Sequence, residues 1–220
     1  MATIVAPAQV DITLVRGDSD DIIVTVKDTA QPTQNLINLG IATDATPSRP
    51  AVLRYSAKEK PDRTSNARAA VFKTSYRSDE IEMLPQSGLT VGQSIIKIDK
   101  PDTSDNKAGT YAHDFEVVRQ DVQRPGTGAG LGTVAVVVLS NVITGTATFF
   151  TKAKPGDVLQ IISGSNNGIA VVLTKITSDT VAESEHIWLT TQSGASFDLR
   201  RGKAKTAFIG SLILTQDVVY

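Results

Sequence analysis

Arg16-Gly17-Asp18 sets a guanidinium and a carboxylate on either side of a glycine, the combination with which an exposed loop can engage an integrin-type receptor. Gly and Asp are also the residues that build tight turns, one by reaching positive φ and the other by capping with its side chain, and the turn reading is preferred. Asp18, Asp20 and Asp21 offer oxygen ligands for calcium. They lack the twelve-residue loop and distal glutamate that make such a site specific, so they read as a solvated acidic turn. Gly126, Gly128, Gly130 and Gly132 fit neither Gly-x-Gly-x-x-Gly nor a P-loop, and no Lys-Ser pair follows them. They read as a linker.

Two histidines, His113 and His186, are the only candidates for a base near neutral pH, and they fall in different proposed domains. Spacing supplies neither with a convergent nucleophile or metal partner, so both read as sheet residues. Trp188, two positions from His186, could offer its indole face to a sugar ring. Core packing is the preferred reading, because tryptophan is largely buried in most folds. Arg200, Arg201, Lys203 and Lys205 form the one local basic cluster. Without interleaved aromatics it reads as a solvated connection or a contact to an acidic subunit, not as a nucleic-acid site. No residue is assigned a catalytic, cofactor-binding or metal role, and the expectation is a chain that is not an enzyme.

Composition points the same way. The 220 residues carry 22 basic and 23 acidic side chains, so no net field gathers nucleic acid or an anionic membrane. Cysteine is absent, which removes disulfides, thiolate metal sites and a cysteine nucleophile together. Met1–Pro7 has neither the basic region nor the long apolar run of a secretory signal, and a cytoplasmic, soluble product is expected. The longest apolar run, Val134–Leu139, has the length and β-branching of one buried strand.

Segments of alternating or β-branched character recur at 10–16, 21–27, 51–57, 69–74, 94–99, 111–119, 133–139, 144–150, 157–163, 168–176, 185–191 and 206–216, separated by Gly, Pro, Asn, Asp and Ser. That is the pattern of an all-β sandwich or barrel. Residues 11–15 and 22–26 predict two antiparallel strands around the Arg16-Gly17-Asp18 turn. Ser78–Leu84 fits a short helix or a strand equally. Gln9–Asp28 and Phe208–Tyr220 read as the first and last strands of one sandwich. Tyr111–Arg119 could pair with Phe208–Thr215 if the block between them were excised. The division expected is therefore a discontinuous sandwich, 1–125 with 205–220, and an inserted barrel-like β module, 126–204, with Phe149, Phe150, Trp188 and Phe197 as candidates for its core. Thr29–Pro50, Met1–Ala8 and Val218–Tyr220 are the candidate contact regions.

Ile12–Asp28, Gly109–Val117 (GTYAHDFEV) and Gly210–Val218 (GSLILTQDV), in that order, resemble the immunoglobulin-like sandwich modules of tailed-bacteriophage virions, including the N-terminal domain of baseplate upper proteins. Val142–Phe150, Lys154–Ile161 and Ile176–Thr180 resemble a small β-rich module of phage appendage proteins. The resemblance implies an immunoglobulin-like sandwich with an inserted module, acting as a structural tail or baseplate component of the virion. Its expected partners are other virion proteins and copies of itself, with no nucleic acid and no membrane. A head decoration or neck protein is the alternative within that class. A carbohydrate-binding adhesin of the host surface is the alternative from another.

Overall fold

The computed structural model describes residues 8–26, 39–40, 49–59, 71–123 and 132–216. Its strands are β1 (Ala8–Gln9), β2 (Ile12–Val15), β3 (Asp20–Thr25), β4 (Val52–Glu59), β5 (Val71–Thr74), β6 (Ile81–Met83), β7 (Gln93–Ile98), β8 (Gly109–Gln123), β9 (Thr133–Val136), β10 (Val142–Thr146), β11 (Val158–Ile161), β12 (Ala170–Ser178), β13 (Val181–Ser184), β14 (Gln192–Ala195) and β15 (Phe197–Thr215). One short helix, α1, covers Lys100–Ser104. The chain forms two compact units: 1–39, 53–117 and 205–220 in unit 1, and 40–52 with 118–204 in unit 2. The boundary thus falls inside β8, after Val117, and inside β15, after Ala204.

Unit 1 is an all-β sandwich. One sheet runs β2-β15-β8-β4-β5, with β1 also on β15, and the other runs β3-β7-β6. The first and last strands lie side by side and parallel, Ile12 opposite Leu212 and Leu14 opposite Leu214. Alternation does the sorting: in β7, Ser94, Ile96 and Ile98 are buried and their neighbours half-buried, as a period of two requires. Leu14, Val24, Tyr55, Ile81, Ile96, Phe115 and Leu212 supply the core.

The hairpin expected from residues 11–26 does not form. β2 pairs with β15 in one sheet, while β3 pairs with β7 in the other. The Arg16-Gly17-Asp18 turn is therefore a corner at which the chain changes sheets. Gly17 has φ +84, a conformation that costs a side chain dearly. α1 holds this corner: the Thr103 hydroxyl accepts from the Gly17 N–H at 3.0 Å and donates to the Asp18 carbonyl at 2.7 Å. The sequence signal for α1 was present in Asp99-Lys100-Pro101-Asp102. Proline sits in the first turn, and the Asp102 carboxylate accepts from the Asp99 N–H at 2.7 Å, a cap that starts a helix too short to show periodicity. Ser78–Leu84 resolves into a turn followed by β6.

Unit 2 follows the strand order β14-β9-β10-β13-β12-β11-β15. β14 and β15 stand at opposite ends of that order, yet only Ser196 separates them in the chain. One residue spans at most about 3.5 Å. The sheet has to curl until its ends meet, which makes the unit barrel-like. Trp188, Phe150, Phe197, Ile143, Leu159 and Leu173 are fully buried in it, with the Phe150 and Phe197 rings 6.0 Å apart. Phe149, a core candidate by sequence, is instead 43% exposed, with the Lys152 ammonium 4.8 Å from its ring centre. Residues 185–191, expected as a strand, form a loop between β13 and β14.

Candidate functional site

His113 lies on β8 with both ring nitrogens engaged. Its Nε2 is 2.7 Å from the Val10 carbonyl, which can only accept, so Nε2 carries the proton. Its Nδ1, 3.0 Å from the Tyr55 hydroxyl, is then the acceptor. The histidine ties Val10, in the link between β1 and β2, to Tyr55 of β4 and is a structural residue of unit 1. Burial, and then the charges of Asp114 and Asp102, push the Tyr55 phenol well above its ordinary range. A raised pKa contributes stability that is complete below the unfolded value of 10.0 and is lost as pH climbs above it. Urea unfolding at pH 8 and pH 11 should register that loss, and Tyr55→Phe should shrink the difference. At pH 8 the same variant should cost about 1–3 kcal/mol, because Nδ1 loses its donor. An unchanged pH slope in the variant would contradict the assignment.

A depression of about 190 Å³ in unit 1 is lined by Ser56, Lys58, Ala112, His113, Asp114 and Ile209. These include the residue types of a hydrolytic triad, but the connectivity is wrong. Ser56 donates directly to the Asp114 carboxylate at 2.5 Å, while His113 is committed to Tyr55 and Val10. The histidine is not placed between them to take the serine proton as a triad requires.

The other candidates are equally occupied. The Arg16 guanidinium donates to the Ser104 carbonyl at 2.8 Å, so the Arg-Gly-Asp loop is tied to the sandwich. Asp20 accepts from the Asp21 N–H at 2.8 Å, and no group of three His, Asp or Glu among the described residues could hold a metal ion. The basic cluster splits: Arg200 is buried and bonded to Asp198 at 2.7 Å, Arg49 approaches the same carboxylate at 3.4 Å, and Arg201 and Lys203 are exposed. Lys73, also nearly buried, is held by Asp102 at 2.6 Å and Asp99 at 3.0 Å. Trp188 is 0% exposed, so its indole offers no platform to a sugar. Gly126, Gly128 and Gly130, most of Thr29–Pro50, Met1–Pro7 and Val218–Tyr220 lie outside the described residues.

One surface was missed by the sequence reading. Val134–Leu139 is not one buried strand: β9 stops at Val136, and Val137, Val138 and Leu139 turn outward, 56%, 43% and 76% exposed. Beside them Ile187 and Leu189 are also exposed, flanking the buried Trp188. The two turns are fastened together, Leu139 N–H to the Trp188 carbonyl at 2.8 Å, Trp188 N–H to the Ser140 carbonyl at 2.9 Å and Val138 N–H to the Thr191 hydroxyl at 3.0 Å. Leu139 has φ +63, a conformation that disfavours a bulky side chain by about 1–2 kcal/mol. A leucine that is both strained and exposed contributes little to its own fold. Leu139→Asn should raise stability by about 0.5–1 kcal/mol in urea unfolding, since asparagine enters this region more readily. A loss of stability would mean that the leucine packs inside the unit.

No protein-family model matches the sequence, and no curated protein matches it.

Proposed function

We propose that this chain is a non-enzymatic structural subunit of a tailed-phage particle, a tail or baseplate component that joins a symmetric assembly. The observation that carries the reading is the apolar tip of unit 2, where five aliphatic side chains are held outward on two bonded turns. Exposed aliphatic clusters of this kind mark contacts with other macromolecules. The virion assignment rests on the resemblance of Ile12–Asp28, Gly109–Val117 and Gly210–Val218 to phage sandwich modules. The sandwich topology supports it, with β2 laid parallel on β15 and β3-β7-β6 opposite. A head decoration or neck protein would use the same fold and the same kind of tip. The adhesin alternative loses its proposed platform with the burial of Trp188.

Immunogold labelling of purified particles with an antibody to this chain tests the reading. Label at the tail or its tip is expected. Label spread over the head would move the assignment to decoration, and a protein found only in the unassembled lysate would overturn it.

A further inference from the structure

We propose that Asn167 is a site of spontaneous covalent modification, converted to isoaspartate and aspartate by loss of its side-chain nitrogen, and that the conversion loosens unit 2. Asn167-Gly168 is the one Asn-Gly pair in the chain. Asparagine is among the thermolabile residues, and a glycine after it leaves the backbone nitrogen with no side chain to hinder its approach to the carboxamide. The pair lies in the turn between β11 and β12, and both residues are exposed. The approach is open, since even a Cβ at Gly168 would meet nothing within 4 Å.

The neighbouring Asn166 shows what protection looks like. It is 1% exposed, its Nδ2 donates to the Thr190 carbonyl at 3.4 Å, and its Oδ1 accepts from the Thr190 hydroxyl at 2.5 Å. The Asn167 carboxamide has no hydrogen bond among the described residues. It is free to turn towards its own backbone.

Water is the only co-reactant. The Gly168 nitrogen bonds to Cγ of Asn167, the Cγ–Nδ2 bond breaks, and ammonia leaves with the proton that the glycine nitrogen gives up. Water then opens the five-membered imide: at Cγ it yields aspartate, and at the backbone carbonyl it yields isoaspartate, in which the chain runs through the side chain. One bond restrains the first step. The Gly168 N–H donates to the Ile161 carbonyl at 2.9 Å, so the nucleophile has to leave that partner before it attacks. A single such bond slows the reaction by roughly two- to tenfold and does not prevent it. Isoaspartate then adds a carbon to the backbone where the turn is closely tied. Ile161 N–H donates to the Ile169 carbonyl at 2.9 Å, and Gln192 of β14 donates to the Ser163 carbonyl at 2.7 Å and accepts from the Asn166 N–H at 2.8 Å. A longer chain between 167 and 168 moves these partners out of register and weakens the hold of the turn on β14.

The test is to incubate the full chain in mildly alkaline buffer, folded and in urea, then to weigh its peptides and label them with an isoaspartate-specific methyltransferase. Mass gain and label are expected first on the peptide that holds Asn167, in both samples, with the folded chain roughly two- to tenfold slower. An Asn167 that stays intact in the folded chain, or another asparagine that reacts before it, would overturn the proposal. Asn167→Gln is the control. It keeps an exposed carboxamide but would need a six-membered ring, which closes far more slowly. Before incubation the two proteins should share one urea midpoint by Trp188 emission. Afterwards the parent should unfold at lower urea while Asn167→Gln keeps its starting midpoint. A converted parent with an unchanged midpoint, or an equal loss in the control, would overturn the effect on unit 2.

Discussion

Trp188→Ala is expected to destabilise unit 2 by about 3–5 kcal/mol, the range for truncating a buried aromatic side chain. The indole is fully buried, and its backbone carries the bonds to Leu139 and Ser140 that fasten the apolar tip. The cavity would thus open directly beneath the surface proposed for assembly. Because Trp188 is the only tryptophan, its emission in the parent chain reports on unit 2 alone. It should be blue-shifted, should not respond to added glycans, and should move to the red in one transition with urea. The variant, followed by circular dichroism, should lose that transition or shift it to much lower urea. A variant as stable as the parent would contradict the packing described here.

Gly210→Ala should be nearly as damaging, at about 2–4 kcal/mol, for a different reason. A Cβ at this position of β15 would overlap the backbone carbonyl oxygen of Val10 and come within 2.7 Å of His113 Nε2. Neither neighbour can yield cheaply. The Val10 N–H donates to Ile209 at 2.9 Å and its carbonyl receives the His113 proton, so moving it undoes the join between the first and last strands. Gly109→Ala is the control, since a Cβ there meets nothing within 4 Å, and removing a glycine from an unstrained site is neutral or mildly stabilising. Equal urea midpoints for the two variants would show that the close approach at Gly210 does not bear on stability.

The sandwich was legible because its signal is periodic. Asp11-Ile12-Thr13-Leu14 alternates and Leu212-Ile213-Leu214 is a short apolar run of strand length, and the two pair in one sheet. What alternation cannot report is the sheet a strand joins. Residues 11–26 look like a hairpin, yet the tie from Thr103 to Gly17 and Asp18 turns the chain into the opposite sheet, and that tie comes from some 85 residues away. The apolar tip was hidden for a related reason. A continuous run such as Val134–Leu139 reads alike whether all of it is buried or its second half spills outward. Ile187-Trp188-Leu189 alternates out, in, out as a strand would, but with the aliphatic residues outside and a single indole inside. The only local hint was Ser140-Asn141, a turn signal directly after the run.

The proposed function makes this chain an assembled part of a phage particle. Cryo-electron microscopy of intact particles tests it most directly. The prediction is density into which both units fit, repeated around the tail or baseplate. Particles whose every protein density is filled by other chains, with no place for these two units, would contradict it.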